Sequence, residues 1–196
     1  MDNPKVREEV KRIMQFWLDM GVDGFREDVI TFISKTEGLP DSHPWLPAAN
    51  GYKYYSNGPR VHQYLMEFKR DVLDCYDCFT VGESPLTTAD IALQYVTEGP
   101  DQVLDEMIAF SHMEADCFMI DMVQLPFNLV KMKRAFSDWQ YKLAGRGWNA
   151  LYIENHDHPR IISRYGNEAY RNESGKMLAA MYMLQRGTPF IYQGQE

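Results

Sequence analysis

The order of apolar and polar residues at the start of the chain predicts a helix. Asn3 can cap the first turn through its side chain, and Pro4 suits the first helical position. Gly21 predicts the end of this helix. In between, apolar residues recur at spacings of three and four, which indicates one apolar stripe formed by Val6, Val10, Ile13, Met14 and Trp17.

Strand and helix patterns then alternate along the rest of the chain. The predicted strands are 24–30, 79–83, 103–110, 150–153 and 189–192, and the helices between them begin near 59, 88, 126 and 173. Strands that alternate with helical crossovers predict a parallel sheet in an α/β protein. Because no linker or internal repeat is visible, we predict one structural unit. The connection at 31–57 is too long for a simple turn and indicates a functional loop.

Composition narrows the class of protein. Of the 196 residues, 45% are hydrophobic and 13% aromatic, which is typical of a folded soluble protein. Twenty Lys and Arg against 28 Asp and Glu give a net charge of −8, which disfavours nucleic acid and anionic membrane surfaces as partners. Since we find neither a bilayer-length apolar run nor a signal-peptide core, we expect a cytoplasmic protein without a membrane segment.

The cysteines do not predict a metal or redox site. Cys75 and Cys78 have C-x-x-C spacing, but two thiolates are half the ligand set of a structural zinc ion. We interpret them as incidental thiols and expect no metal and no cofactor. A metal or redox module at this pair stays open as an alternative.

Charged residues follow three of the predicted strands. Arg26 and Asp28 share one face of the first strand, Glu83 ends the second, and Asp157 follows the strand at 150–153. Each acid alone could be a simple strand-end or helix cap. In parallel α/β barrels, however, the carboxyl ends of the strands carry the chemistry. Several carboxyl groups at that end favour glycoside hydrolysis, in which two carboxyl groups flank the scissile bond.

Several motifs in this order resemble family 13 glycoside hydrolases, the α-amylase family, and above all its oligo-1,6-glucosidase and dextran-glucosidase branch. The matching segments are 2–7 (DNPKVR), 24–30 (GFREDVI), 81–83 (VGE), 154–160 (ENHDHPR) and 187–196 (GTPFIYQGQE). The resemblance implies a (β/α)8 TIM barrel, with residues 1–196 as its C-terminal part from about strand 4 to strand 8. The family's first motif, near strand 3, has no counterpart. We therefore expect a partial barrel that is inactive alone.

The resemblance also implies a role for each site residue. Asp28 would be the nucleophile, Glu83 the general acid/base and Asp157 a third carboxylate that grips sugar hydroxyls. Arg26 would orient Asp28 and keep it ionised, while His156 and Arg160 would contact the sugar. We expect Asp28 and Asp157 to raise the pKa of Glu83. Glu27 stands where the branch has Met or Ile, and we expect little effect because it points to the opposite strand face.

These roles predict a retaining α-glucosidase that hydrolyses short α-glucosides. Its substrate would be an oligosaccharide or a disaccharide, which we expect to be α-1,6-linked as in isomaltose. Val29, directly after the nucleophile, accompanies α-1,6 cleavage in the related enzymes. The alternatives are a phosphotrehalose hydrolase, a sucrose isomerase and a non-catalytic barrel scaffold. The aromatic residues Trp45, Tyr52, Tyr54 and Tyr55 on the long loop either stack on sugar or pack within the loop. The sequence does not give an oligomeric state.

Overall fold

A computed structural model describes residues 1–42, 50–118 and 123–196. Its α-helices are α1 (Pro4–Asp19), α2 (Tyr52–Tyr55), α3 (Val61–Asp71), α4 (Ala89–Val96), α5 (Leu129–Leu143), α6 (Ile161–Tyr165) and α7 (Arg171–Met183). Its strands are β1 (Gly24–Glu27), β2 (Phe79–Glu83), β3 (Glu106–Ile108), β4 (Cys117–Phe118), β5 (Val123–Gln124), β6 (Trp148–Leu151) and β7 (Thr188–Pro189). None of the helices in these ranges is both long and apolar enough to span a bilayer.

The described residues group into two compact units. The first comprises Met1–Pro85 and Gln94–Met107, and the second Leu86–Leu93 and Ile108–Glu196. In the first unit, β1 and β2 are parallel, with Gly24 opposite Phe79 and Glu27 opposite Gly82. Gly24 has φ 151°, and a Cβ there would lie 1.8 Å from the Phe79 carbonyl oxygen. This strand pairing therefore requires glycine at the start of β1.

The helix α3 buries the stripe that its apolar spacing predicts. Val61, Tyr64, Leu65 and Phe68 are all buried, and Val72 follows them into the core. Burying this row removes apolar surface from water, which is the main stabilising contribution that an amphipathic helix makes.

The helix α1 begins as predicted, but only part of its predicted apolar stripe is packed within the first unit. The Asn3 side chain accepts a hydrogen bond from the Lys5 N–H at 3.0 Å. In contrast, Val6, Ile13 and Trp17 are 46%, 52% and 48% exposed. Met14 of the stripe packs with Leu18 against Val72 and Leu73, and Lys11 pairs with Glu67 and Asp71 on α3.

The second unit contains the parallel pair β6 and β7, in which Ala150 lies opposite Thr188. Its core joins the end of β6 and the residues after it to helices α6 and α7, and consists of Met113, Leu151, Tyr152, Ile153, Ile161, Leu178 and Tyr182. The Asn128 side chain caps α5 by accepting from the Lys131 N–H at 2.9 Å. The predicted start of this helix near residue 126 is thus two to three residues early.

Several predicted strands are shorter or shifted in the structure. The strand predicted at 24–30 ends at Glu27, because Val29 adopts a left-handed conformation and a 3-10 helix, Ile30–Phe32, follows. The strand predicted at 103–110 is confined to Glu106–Ile108. The antiparallel pair β4 and β5 and the short helices α2 and α6 were not predicted, since elements of two to five residues are too short to show a period.

Candidate active site

Asp28 lies in the turn directly after β1, with its side chain 69% exposed. Arg26, two residues earlier on β1, donates from Nη1 to Asp28 Oδ1 at 2.8 Å. Asp28 is outside the strand that the sequence predicted for it, yet the turn keeps it on the side of Arg26. The pairing of these two charges on one side of the chain is the predicted one.

Glu83 is the last residue of β2, and its side chain is only 6% exposed. Arg26 reaches it through its second amino group, with Nη2 2.7 Å from Glu83 Oε2. The Val29 N–H donates to the same oxygen at 3.4 Å. A hydrogen bond also joins the carboxyl groups of Glu83 and Asp28. One guanidinium thus bridges two carboxyl groups that also contact each other.

The surroundings of Glu83 favour its protonated form. Burial raises the pKa of Glu83, and the hydrogen bond with Asp28 raises it further, while Arg26 and the Val29 N–H lower it. The direction is the predicted one, but burial is the main cause, ahead of the neighbouring anion.

Val29 connects the candidate nucleophile to Glu83 through an unusual backbone. Its φ of 39° and ψ of 41° lie in the left-handed region, which a β-branched residue rarely occupies. Such a conformation costs about 1–3 kcal/mol and persists where the surroundings hold it. Here it ends β1 and directs the Val29 N–H towards Glu83 Oε2.

In the second unit, His156 and Asp157 lie on the loop after β6. The Asp157 N–H donates to Asn155 Oδ1 at 3.0 Å, which fixes a tight turn. His156 Nε2 lies 3.5 Å from Asp157 Oδ1, and both side chains are at least half exposed. This geometry presents one carboxyl and one imidazole group to solvent.

Arg160 has close protein partners of its own. It forms an ion pair with Glu154, and its guanidinium lies 4.9 Å from the centre of the Tyr192 ring. Glu154 is buried and also accepts from the Ile161 N–H at 3.0 Å. Glu154 is not among the predicted site residues, although it contacts Arg160 and its place at the end of a hydrophobic run, directly before Asn155, was a usable signal.

The structure therefore groups the predicted residues by unit. It brings Arg26, Asp28, Val29 and Glu83 together in the first unit, and it places His156, Asp157 and Arg160 on one loop of the second. Of the loop aromatic residues, Tyr52 and Tyr55 pack edge-on with Phe32, at centroid distances of 6.3 and 5.0 Å. The prediction for Trp45 lies outside the described residues.

The two cysteines with C-x-x-C spacing differ in exposure. Cys75 is exposed and Cys78 is partly buried. Burial raises the pKa of the Cys78 thiol, which disfavours the thiolate. Within residues 1–42, 50–118 and 123–196, the His, Cys, Asp and Glu side chains form no group of three suited to a metal ion.

A model of the alpha-amylase catalytic domain matches residues 1–196 of the chain. The chain belongs to the alpha-amylase family. The oligo-1,6-glucosidase of Parageobacillus thermoglucosidasius is 47% identical over 199 residues, which cover 100% of this chain and 35% of that protein. The trehalose-6-phosphate hydrolase of Bacillus subtilis (strain 168) is 43% identical over 198 residues, which cover 100% and 34%.

Solved structures of the alpha-amylase family confirm the fold. The crystal structure of Bacillus licheniformis trehalose-6-phosphate hydrolase matches with a TM-score of 0.90 at 41% identity, covering 99% of this chain and 35% of that one. An isomaltulose synthase mutant from Erwinia rhapontici NX5, in complex with D-glucose, matches with a TM-score of 0.91 at 32% identity, covering 99% and 35%. The chain spans about a third of the length of these relatives and is part of a TIM barrel, as predicted.

Proposed function

We propose that the protein carrying this chain is a retaining α-glucosidase that acts on short α-glucosides. The observation that supports this most strongly is the Arg26 bridge between Asp28 and Glu83. An exposed carboxylate held by a cation suits a nucleophile, and a buried carboxyl with a raised pKa suits a proton donor. The carboxyl groups of a retaining glycosidase lie closer together than those of an inverting one, and the contact between Asp28 and Glu83 supports the closer spacing.

In the first step, the Glu83 carboxyl donates its proton to the glycosidic oxygen while Asp28 attacks the anomeric carbon. The bond between that carbon and the glycosidic oxygen breaks, the leaving sugar departs as an alcohol, and a β-glucosyl ester forms on Asp28. In the second step, the Glu83 carboxylate takes a proton from water as the water oxygen attacks the same carbon. Asp28 is released, and glucose leaves in the α configuration.

Arg26 has two tasks in this scheme. It keeps Asp28 anionic between turnovers, and it compensates the charge of Glu83 after the proton has left. Its two amino groups contact one carboxyl each, and a lysine could not hold both in this fixed fork.

For the loop after β6 we propose substrate contacts. Asp157 would accept hydrogen bonds from sugar hydroxyls as the third carboxylate, and His156 would donate to them. Arg160, already paired with Glu154, would add a contact through its exposed part. The position of this loop after a parallel strand supports these roles.

For the substrate we propose an α-1,6-linked glucoside of the isomaltose type. Oligo-1,6-glucosidases at 45–47% identity support this choice, as does Val29 beside the nucleophile. A second candidate is hydrolysis of trehalose 6-phosphate, which the 43% identical hydrolase and its similar Bacillus licheniformis structure support. Assays of the full-length protein with isomaltose, maltose and trehalose 6-phosphate would separate the two.

The test of the proposed roles is Asp28→Ala in the full-length protein that carries this chain. Turnover of an activated aryl α-glucoside should fall below detection, and azide should restore part of it by entering the vacated space. Azide attacks opposite the departing α-linked group, so the product should be β-glucosyl azide, as judged by NMR. The exposed Asp77, which precedes β2 at its other end, gives the matched control Asp77→Ala with normal turnover. Normal turnover by Asp28→Ala, or an α-glucosyl azide product, would overturn the proposal.

A further inference from the structure

Two buried hydroxyl groups connect the segments that carry Asp28 and Glu83. Thr31 Oγ1 lies 3.1 Å from Ser84 Oγ, and both residues are 0% exposed. Thr31 is three positions after Asp28, and Ser84 directly follows Glu83. This bond therefore joins chain positions 31 and 84, beside the two carboxyl groups that must meet the same glycosidic bond.

The backbone carbonyl of Thr31 is also held by a hydrogen bond. Its carbonyl accepts from the Asn57 N–H at 2.9 Å, and the Asn57 side chain accepts from the Tyr95 hydroxyl at 2.6 Å. Thr31 belongs to the 3-10 helix Ile30–Phe32 that begins directly after the left-handed Val29. The backbone that carries the Thr31 hydroxyl is therefore fixed by the Val29 turn before it and by the Asn57 hydrogen bond to its carbonyl.

We infer that the Thr31–Ser84 hydrogen bond positions the Glu83 carboxyl against Asp28, so that Thr31 and Ser84 are positioning residues of the reaction. This inference rests on the proposed function. The Glu83 carboxyl itself is held by Arg26 Nη2 at 2.7 Å and by the longer Val29 N–H contact at 3.4 Å. The Thr31–Ser84 bond adds a buried contact at the residue directly after Glu83. Displacement of a reacting group by about 1 Å can cost about a hundredfold in rate.

The test uses Thr31→Val, which keeps the shape of the side chain and removes the hydroxyl, and Thr31→Ser, which keeps the hydroxyl. In the full-length protein, Thr31→Val should lower kcat for isomaltose about tenfold with KM changed less than about twofold, the scale of one lost hydrogen bond. Thr31→Ser should stay within about twofold of the unmodified protein. Ser84→Ala should match Thr31→Val, and the double variant should be no worse than either.

Two readouts separate positioning from a purely structural role. A displaced Glu83 gains water, which moves its raised pKa back towards the ordinary value. The alkaline limb of kcat/KM should therefore shift to lower pH in Thr31→Val. A dinitrophenyl α-glucoside needs no proton on its leaving group, so its kcat/KM should fall much less than that of isomaltose.

The matched control is Thr80→Val, in the same strand as Glu83. The Thr80 hydroxyl is also buried and bonds to Asp105 Oδ2 at 2.9 Å, away from the carboxyl end of β2. This variant should lower the Tm and leave the pH profile and the substrate ratio unchanged. If Thr31→Val behaves like Thr80→Val, or if Thr31→Ser is as slow as Thr31→Val, the inference is overturned.

Failure of the proposed function is distinguishable from failure of this inference. If the unmodified protein turns over none of the α-glucosides, the proposed function is wrong. The hydroxyl pair is then judged by a double-mutant cycle of Thr31→Val and Ser84→Ala in thermal unfolding. Non-additive losses support a direct link between the two segments, and additive losses overturn it.

Discussion

Glu83 and Glu27 lie on opposite faces of the β1–β2 pair and differ in the groups that surround their carboxyl groups. Glu83 is held by Arg26, by the Val29 N–H and by Asp28. Glu27, one residue before Asp28, has a buried Oε2 without a hydrogen-bond partner in the described part of the chain. Burial raises the pKa of Glu27 to about 7, and the Asp105 carboxylate adds to the rise.

Burial alone does not distinguish the two glutamates; their charged neighbours do. Burial raises the pKa of both side chains, but Glu83 has the Arg26 guanidinium beside it to compensate its charge after the proton leaves. In the described part of the chain no Lys or Arg forms an ion pair with Glu27, so its ionisation destabilises the fold. We therefore expect Glu83 to control activity and Glu27 to control stability.

The largest expected effect is on activity, and two matched substitutions, one at Glu83 and one at Glu27, measure it. Glu83→Gln should lower kcat/KM for isomaltose by about a thousandfold, within the range for loss of general acid catalysis. Glu27→Gln should stay within about twofold. Activated aryl glucosides should remain partly active with Glu83→Gln, because their leaving groups need little protonation. Equal losses for both substitutions would remove the distinction between the two faces.

A second prediction concerns the free energy of unfolding of Glu27→Met. The pKa of Glu27 rises from an ordinary 4.5 to about 7 in the fold, so the folded state holds the proton more tightly than the unfolded state. Stability is therefore lost as pH rises from about 4.5 to about 7, and the loss is complete above that range. Removing the carboxyl should stabilise the protein by up to about 3 kcal/mol above pH 7. Below pH 4.5 this gain should vanish.

Denaturant titrations at pH 4 and pH 8 measure this difference, with Glu27→Gln as a variant that lacks the charge but keeps the polar group. A gain for Glu27→Met that does not depend on pH would mean that packing, and not ionisation, sets the cost.

Much of this arrangement follows from the sequence, and the rest depends on contacts that no local pattern shows. The β2 boundaries match the prediction because an apolar run ends in Glu83 at a turn signal. The prediction of a strand through Val29 is wrong, because a β-branched residue favours an extended backbone and Val29 has a left-handed one. The Thr31–Ser84 bond joins positions 53 residues apart, and neither hydroxyl has a sequence signal of its own.

The smallest expected effect concerns the linkage of the substrate. Val29→Thr keeps the side-chain shape and adds a hydroxyl, which can favour one orientation of the leaving sugar by about 1 kcal/mol. The ratio of kcat/KM for isomaltose over maltose should fall a few-fold while activity persists. Equal changes for the two sugars, or an unmodified protein that prefers maltose, would refute this role of Val29 and leave the carboxylate roles intact.

The most direct test of the account traps the covalent intermediate on Asp28. A fluorinated glucosyl donor with a good leaving group forms the glucosyl ester faster than the ester is hydrolysed. Peptide mapping by mass spectrometry of the full-length protein should then show one added fluoroglucosyl group on the peptide that contains Asp28, and none in Asp28→Ala. A glucosyl group on Glu83 or on another carboxylate, or active protein that never accumulates an adduct, would contradict the assignment of Asp28 as the nucleophile.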